Sequence, residues 1–278
     1  MIKIRILVEN KTYKTQYIGE HGLSVYIETE DKKILYDTGM SDAFVQNARQ
    51  MGVDLADVDF AVISHGHHDH AGGVPDFLKA NAKSPVYIHK DAFNEPYPME
   101  DGKLSETHCG IRWTGMLDKI RERLILTDGV TNIGEDIVVS GTIPKIDGFE
   151  PTAQFYTKNE KNEYVIDDMR HEQFLAIRNK KAGGVFVFSG CSHTGVVPCI
   201  KYAQSLFPGE AIVALISGMH LYGADNTTIR QTLDEILKLE VKMHVPLHCT
   251  GIEAMCELKK RISDRCVILN TGGLYQWG

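Results

Sequence analysis

Val62-Ile63-Ser64-His65-Gly66-His67-His68-Asp69-His70-Ala71-Gly72-Gly73 is the stretch from which the rest of the chain is read. A mostly apolar run over residues 58–63 stops at Ser64, and four side chains of metal-ligand type follow at once: His65, His67, Asp69 and His70. Imidazole is the commonest neutral ligand for zinc and iron, and a carboxylate adds an oxygen that balances cation charge. In an extended turn His65 and His67, two positions apart, face one ion. Asp69 and His70 are adjacent, so they diverge and reach a second. A solvated polar loop rarely gathers four such residues at this spacing. His68 falls on the spacer position and reads as exposed.

Two more histidines stand just past strand ends. His193 follows Val185-Phe186-Val187-Phe188-Ser189-Gly190-Cys191-Ser192, and His248 follows Val245-Pro246-Leu247. With His65, three apolar strands each deliver a histidine soon after they stop. Ligand sites in layered α/β folds gather at such edges, where loops converge on a rigid scaffold. Cys191 and Cys249, each beside one of these histidines, read as small buried fillers. His89 ends a strand and reads as a core or pocket-edge residue, and His244, within one, as structural. His171 reads as solvent-exposed, with reach to substrate beside Glu172 and Gln173 as the alternative, and His21 has no context.

Around this frame, residues 24–29, 33–36 and 85–89 predict strands, and 43–51 a helix opened by Ser41-Asp42. Residues 174–177 and 185–188 form a hairpin with Gly183-Gly184 at its bend. A buried strand over 212–216 precedes an amphipathic helix capped by Asn226, with Ile229, Leu233, Ile236 and Leu237 on one face. A strand over 241–247, a helix around 253–262 and a strand over 267–269 complete the set. Residues 91–168 differ: aromatic, Pro, Gly and charged residues interleave, with weak strand signals only at 137–139 and 164–166. This stretch reads as an insertion covering the active-site face of a single domain spanning 1–278, an ordinary peripheral subdomain being the alternative. Hairpins mixed with strand–helix units predict an α/β chain of two mixed sheets with helices outside.

The 278 residues suffice to bury one large core. The net charge of −7, with no basic cluster, argues against a nucleic-acid partner. No apolar run approaches the ~20 residues that span a bilayer, and residues 1–8 alternate like a strand rather than a signal peptide. The six cysteines form no C-x-x-C pair, which suits reduced thiols in the cytoplasm.

His65-x-His67-x-Asp69-His70, His193 and His248 together resemble the ligand series of the metallo-β-lactamase superfamily. The resemblance implies that family's αββα sandwich. It also implies two divalent transition-metal ions, zinc first, with iron and manganese also suited. His65, His67 and His193 would hold one ion, and Asp69, His70 and His248 the other. Asp37, in Leu35-Tyr36-Asp37-Thr38-Gly39, matches the upstream aspartate that supports the ligands from behind. Many members carry a bridging aspartate between the last two histidines, where this chain reads Ser217-Gly218-Met219-His220. His220 is therefore expected to line the pocket and, with Asp69, to serve catalysis; Asp225, beside the helix start, is the lesser candidate.

The segments around Cys191, Met219 and Cys249 are similar to a branch containing a dihydropterin-linked synthase as well as metal-dependent hydrolases. The activity implied first is hydrolysis of a small ester or phosphoester by a metal-bound hydroxide. A bond-forming synthase acting on a pterin in methanopterin-type cofactor assembly is the alternative, and a non-catalytic metal- or ligand-binding module the second. A small-molecule substrate is expected, without nucleic acid or membrane, and a homo-oligomer stays open.

Overall fold

The apolar runs on either side of the histidine string become neighbouring strands in a computed structural model that describes residues 1–100, 102–149 and 153–277. In chain order the first strands are β1 (Ile2–Val8), β2 (Ser24–Glu28), β3 (Lys33–Tyr36), β4 (Phe60–Val62), β5 (Val86–His89), β6 (Tyr97–Glu100), β7 (Lys103–Leu104) and β8 (Leu124–Thr127). Then come β9 (Thr131–Asn132), β10 (Ile137–Val139), β11 (Phe155–Lys158), β12 (Tyr164–Ile166), β13 (Leu175–Asn179), β14 (Gly184–Ser189), β15 (Ile212–Ser217), β16 (Met243–Pro246) and β17 (Leu274–Trp277). The helices are α1 (Ala43–Gln50), α2 (His68–Ala71), α3 (Val74–Ala80), α4 (Leu117–Ile120), α5 (Val196–Leu206), α6 (Asn226–Leu237) and α7 (Ile252–Ile262).

Two mixed sheets result, in the orders β17-β1-β2-β3-β4-β5-β8 and β16-β15-β14-β13-β10-β9. Strand alternation decides the layers. On β14, Phe186 and Phe188 enter the core between the sheets, while Val185 and Val187 face the helices. The core between the sheets holds Ile4, Ile6, Phe60, Phe186 and Ile216. A second core packs Phe44 of α1 and Phe77 of α3 on the first sheet, and a third packs Ile200, Leu233 and Leu258 of α5, α6 and α7 on the second. That is an αββα sandwich, as expected.

Three details depart from the sequence reading. Residues 91–168 are not one unit: β8 joins the first sheet and β9 and β10 the second, while β6, β7, β11 and β12 form a separate four-stranded sheet. Poor periodicity hid this, because short edge strands are half exposed and lack a clean alternation. Residues 267–269 are not a strand; β17 closes the first sheet against β1 instead. The cap of α6 is Asp225, whose carboxylate accepts from the Thr227 and Thr228 amides, so Asn226 is the first helical residue.

Among the described residues no helix is long and apolar enough to cross a membrane.

Candidate metal centre

Parallel pairing sets where the site lies. β3 and β4 run parallel, as do β14, β15 and β16, so each group turns its carboxyl ends to one edge of its sheet. Asp37 follows β3, the histidine string follows β4, and Cys191 and His193 follow β14. His220 follows β15 and His248 follows β16. Gly66 allows the string its path: a Cβ there would lie 2.0 Å from the Ala92 carbonyl oxygen.

Two groups of ligand atoms form. His65, His67 and His193 make the first, and Asp69, His70, His248 and also Cys191 the second; within each, the atoms lie within 4.8 Å of one another. In the first group the imidazole centroids form a triangle of 4.5, 4.6 and 4.9 Å.

Hydrogen bonds behind the rings settle which nitrogen faces the cavity. Asp37 accepts from His70 Nδ1 at 2.7 Å and from the Ser64 hydroxyl at 2.8 Å. Since Ser64 Oγ donates to Asp37, it accepts from His65 Nδ1 at 2.8 Å. Asn10 Oδ1 accepts from His248 Nδ1 at 2.7 Å. His65, His70 and His248 are thereby held as tautomers whose Nε2 lone pairs point to the cavity.

In the first group these nitrogens lack partners. His65 Nε2, His67 Nε2 and both nitrogens of His193 are buried without a hydrogen bond. His70 Nε2 and His248 Nε2 face each other at 3.2 Å. Two acceptors at that distance call for a proton or a cation between them. Burial lowers the pKa of His67 to about 3 and pushes those of His65 and His193 well below the usual range. Burial would lower His70 too, but the carboxylates of Asp69 and Asp37 carry it up to about 9. A triad of neutral imidazoles with nitrogens free of hydrogen bonds fits a divalent metal ion.

Backbone strain collects at the same place. Asp37, Ser192, His220 and His248 all have positive φ, between 46° and 57°, a conformation that costs non-glycine residues energy and recurs at functional sites.

A cavity of about 350 Å³ opens over both groups. His220 lines it, its ring 4.4 Å from that of His193. Phe155 of β11 closes the opposite wall, 4.6 Å from the ring of His67 and 5.0 Å from that of His193. Cys109, which also lines the cavity, accepts at its backbone carbonyl from the His68 amide. Phe155 and Cys109 both come from the 91–168 stretch.

Several participants escaped the sequence reading. His21 lines the cavity 3.4 Å from Asp69 Oδ2, and nothing near it in the chain hinted at that. His171, read as exposed, is 1% exposed and accepts from the Gly66 amide. Glu172, wholly buried, accepts from the His193 and Thr194 amides and the Thr194 hydroxyl. Cys191, read as a filler, has its sulfur 3.1 Å from His70 Nε2. His68 is half-buried rather than exposed. His89 and His244 lie apart from both groups, His89 bonded to Thr142.

An αββα sandwich with a double histidine cluster at its sheet edge defines a class of metal-site proteins. Comparison with known proteins agrees: the sequence pattern of the Metallo-beta-lactamase superfamily matches residues 17–248. The chain belongs to that superfamily. It is 34% identical to the 7,8-dihydropterin-6-methyl-4-(beta-D-ribofuranosyl)-aminobenzene-5'-phosphate synthase of Methanocaldococcus jannaschii, over 91% of this chain and 89% of that protein. It is 29% identical to an uncharacterized protein of the same organism, over 92% and 94% of the two chains. A solved structure described as a metal-dependent hydrolase of the beta-lactamase superfamily superposes with a TM-score of 0.82 at 28% identity, covering 100% of this chain and 99% of its own.

Proposed function

We propose that the chain is a metal-dependent hydrolase that holds two divalent cations, zinc first, and cleaves a small ester or phosphoester. The observation that carries this is the pair of ligand groups facing one cavity, the first with its imidazole nitrogens unmatched. His65, His67 and His193 would hold one cation, and Asp69, His70 and His248, joined by Cys191, the other. Cations held there supply Lewis acidity, which polarises a scissile bond and acidifies water.

The chain's own residues do the remaining work. Asp69, partly open to the cavity, would orient water and take up its proton. Asp37 and Ser64 keep the ligand rings aimed. Phe155 keeps solvent off the first group, and His220 stands where it would touch substrate. A 350 Å³ cavity suits a small molecule. No two of the six cysteines are joined in a disulfide, which suits the cytoplasm.

A second reading, a synthase that joins a dihydropterin to an aminobenzene acceptor, draws on the 34% identical relative and on the aromatic wall of Phe155. One experiment separates the two. The purified chain is analysed for metal and reloaded with zinc, manganese or iron. It is then offered ester and phosphodiester panels, and separately a dihydropterin donor with an aminobenzene ribosyl phosphate. Metal-dependent cleavage supports the hydrolase, and a coupled product supports the synthase. A chain that takes up no metal after reloading refutes both.

A further inference from the structure

Two thiols meet beside the second ligand group. Cys191 follows β14 and Cys249 lies in the turn after β16, so the parallel run of β14, β15 and β16 carries both to the same edge. Cys249 Sγ lies 3.7 Å from the Cys191 carbonyl oxygen. Gly218, just past the tip of β15, leaves the room for this. A Cβ there would fall 2.6 Å from Cys249 Sγ and 3.3 Å from Cys191 Cα. Both cysteines are buried from bulk solvent, yet both line the cavity, so a small oxidant reaches them by the substrate's route.

The other cysteines are placed differently. Cys199, on α5, packs against Ser189 and Thr194, Cys266 is buried beyond α7, and Cys256 is exposed. Cys109 lines the cavity but bonds through its thiol to the Pro96 carbonyl.

We propose that Cys191 and Cys249 form a redox modification site, joined in a reversible disulfide by a peroxide-class oxidant. Each thiol gives up one electron and one proton; the O–O bond of hydrogen peroxide breaks and two waters leave. A small dithiol reverses the bond by exchange: one of its thiols attacks one sulfur and releases the other as a thiol, and its second thiol then displaces the remaining protein thiol, closing the small molecule's own disulfide. Disulfides inside cells are mostly transient devices of this kind. The bond draws Cys191 away from Asp69, His70 and His248, so oxidation weakens the second cation site; that consequence rests on the two-cation reading, whereas the disulfide does not.

The test uses the full chain, stripped with chelator or reloaded with zinc, exposed to hydrogen peroxide, alkylated and mapped by mass spectrometry without reduction. The expected result is a peptide pair linked through Cys191 and Cys249. It is lost in Cys191→Ser and in Cys249→Ser, kept in Cys109→Ser, removed by dithiothreitol, and formed more slowly when zinc is loaded first. The oxidised chain should bind roughly one zinc equivalent fewer. Both thiols staying open to alkylation, or over-oxidising to sulfinic acid without a link, would overturn the proposal. A linked chain that keeps its full zinc complement would uphold the link and refute its effect on the second cation site. A chain that forms the link yet binds no zinc in either state would uphold the modification site while refuting the two-cation reading.

Discussion

Asp37 Oδ2 stands 2.7 Å from His70 Nδ1, with both side chains wholly buried, while the same carboxylate holds Ser64 and, through it, His65. One aspartate thus orients a ligand of each group. Asp37→Asn keeps the shape and removes the charge that favours the correct His70 tautomer. Outer carboxylates of this kind are worth ~10–100-fold in metal affinity. Competition titration with a zinc indicator should show weaker binding of that order, and unchanged affinity would remove Asp37 from its supporting role.

Selective deletion should separate the two groups. His67→Ala removes a ligand from the first group only, and Asp69→Ala one from the second only. Each variant is expected to lose turnover and to bind less metal, while the untouched group still loads. Full activity with normal metal content in either variant would contradict the assignment.

Titration of the metal-free chain should narrow its stability from both sides. His67, near 3, and His244, near 4, sit below the unfolded value of 6.5. The unfolded chain therefore binds more protons as pH falls, and stability is lost below about 6.5. At pH 5 each such group costs roughly 2 kcal/mol relative to pH 7. His65 and His193 act in the same direction. His70 is opposite: raised to about 9, it stabilises fully below 6.5, and that stability is lost as pH rises through 9. Thermal melts in chelator should peak near neutrality and fall on either side; a flat acid limb would contradict the buried, neutral state of these rings.

The candidate ligands were legible because metal chemistry restricts residue type and because strand ends gather them. Asp37, the string from His65 to His70, His193 and His248 all follow apolar strands, and such strands announce themselves. His21, His171 and Glu172 were not legible. Each comes from an irregular segment whose position depends on packing made elsewhere, and an isolated charged residue carries no periodic signal. Cys191 was visible in the chain, but its role depends on a 3.1 Å approach to His70 that no spacing reveals.

Gly66 tests how tightly the loop is fixed. An alanine there puts its Cβ 2.0 Å from a backbone oxygen, that of Ala92, which cannot swing aside as a side chain could. Overpacking of this kind costs at least ~1–3 kcal/mol. Gly66→Ala should melt several degrees lower and lose metal from both groups, whereas Gly52→Ala, with open space around it, should keep its metal. Normal metal binding in Gly66→Ala would mean the string tolerates another path.

Glu172 is the residue on which the first group's shape should depend most. Its carboxylate accepts from the His193 amide at 2.6 Å and from the Thr194 amide and hydroxyl at 2.7 Å each, clamping the turn that presents His193. Burial raises its pKa, against those three donors, which favour the charged form. Glu172→Gln turns one acceptor into a donor facing N–H or O–H, a mismatch worth about 1–3 kcal/mol. The turn cannot relax cheaply, because Ser192 already holds a φ of 57° and Gly195 one of 100°. His193 should therefore move off its triangle with His65 and His67. Cobalt substitution can read this out: the first group should lose affinity and change its absorption spectrum, while the second group binds as before. A variant that melts lower but keeps both sites intact would reduce Glu172 to a fold-stabilising residue.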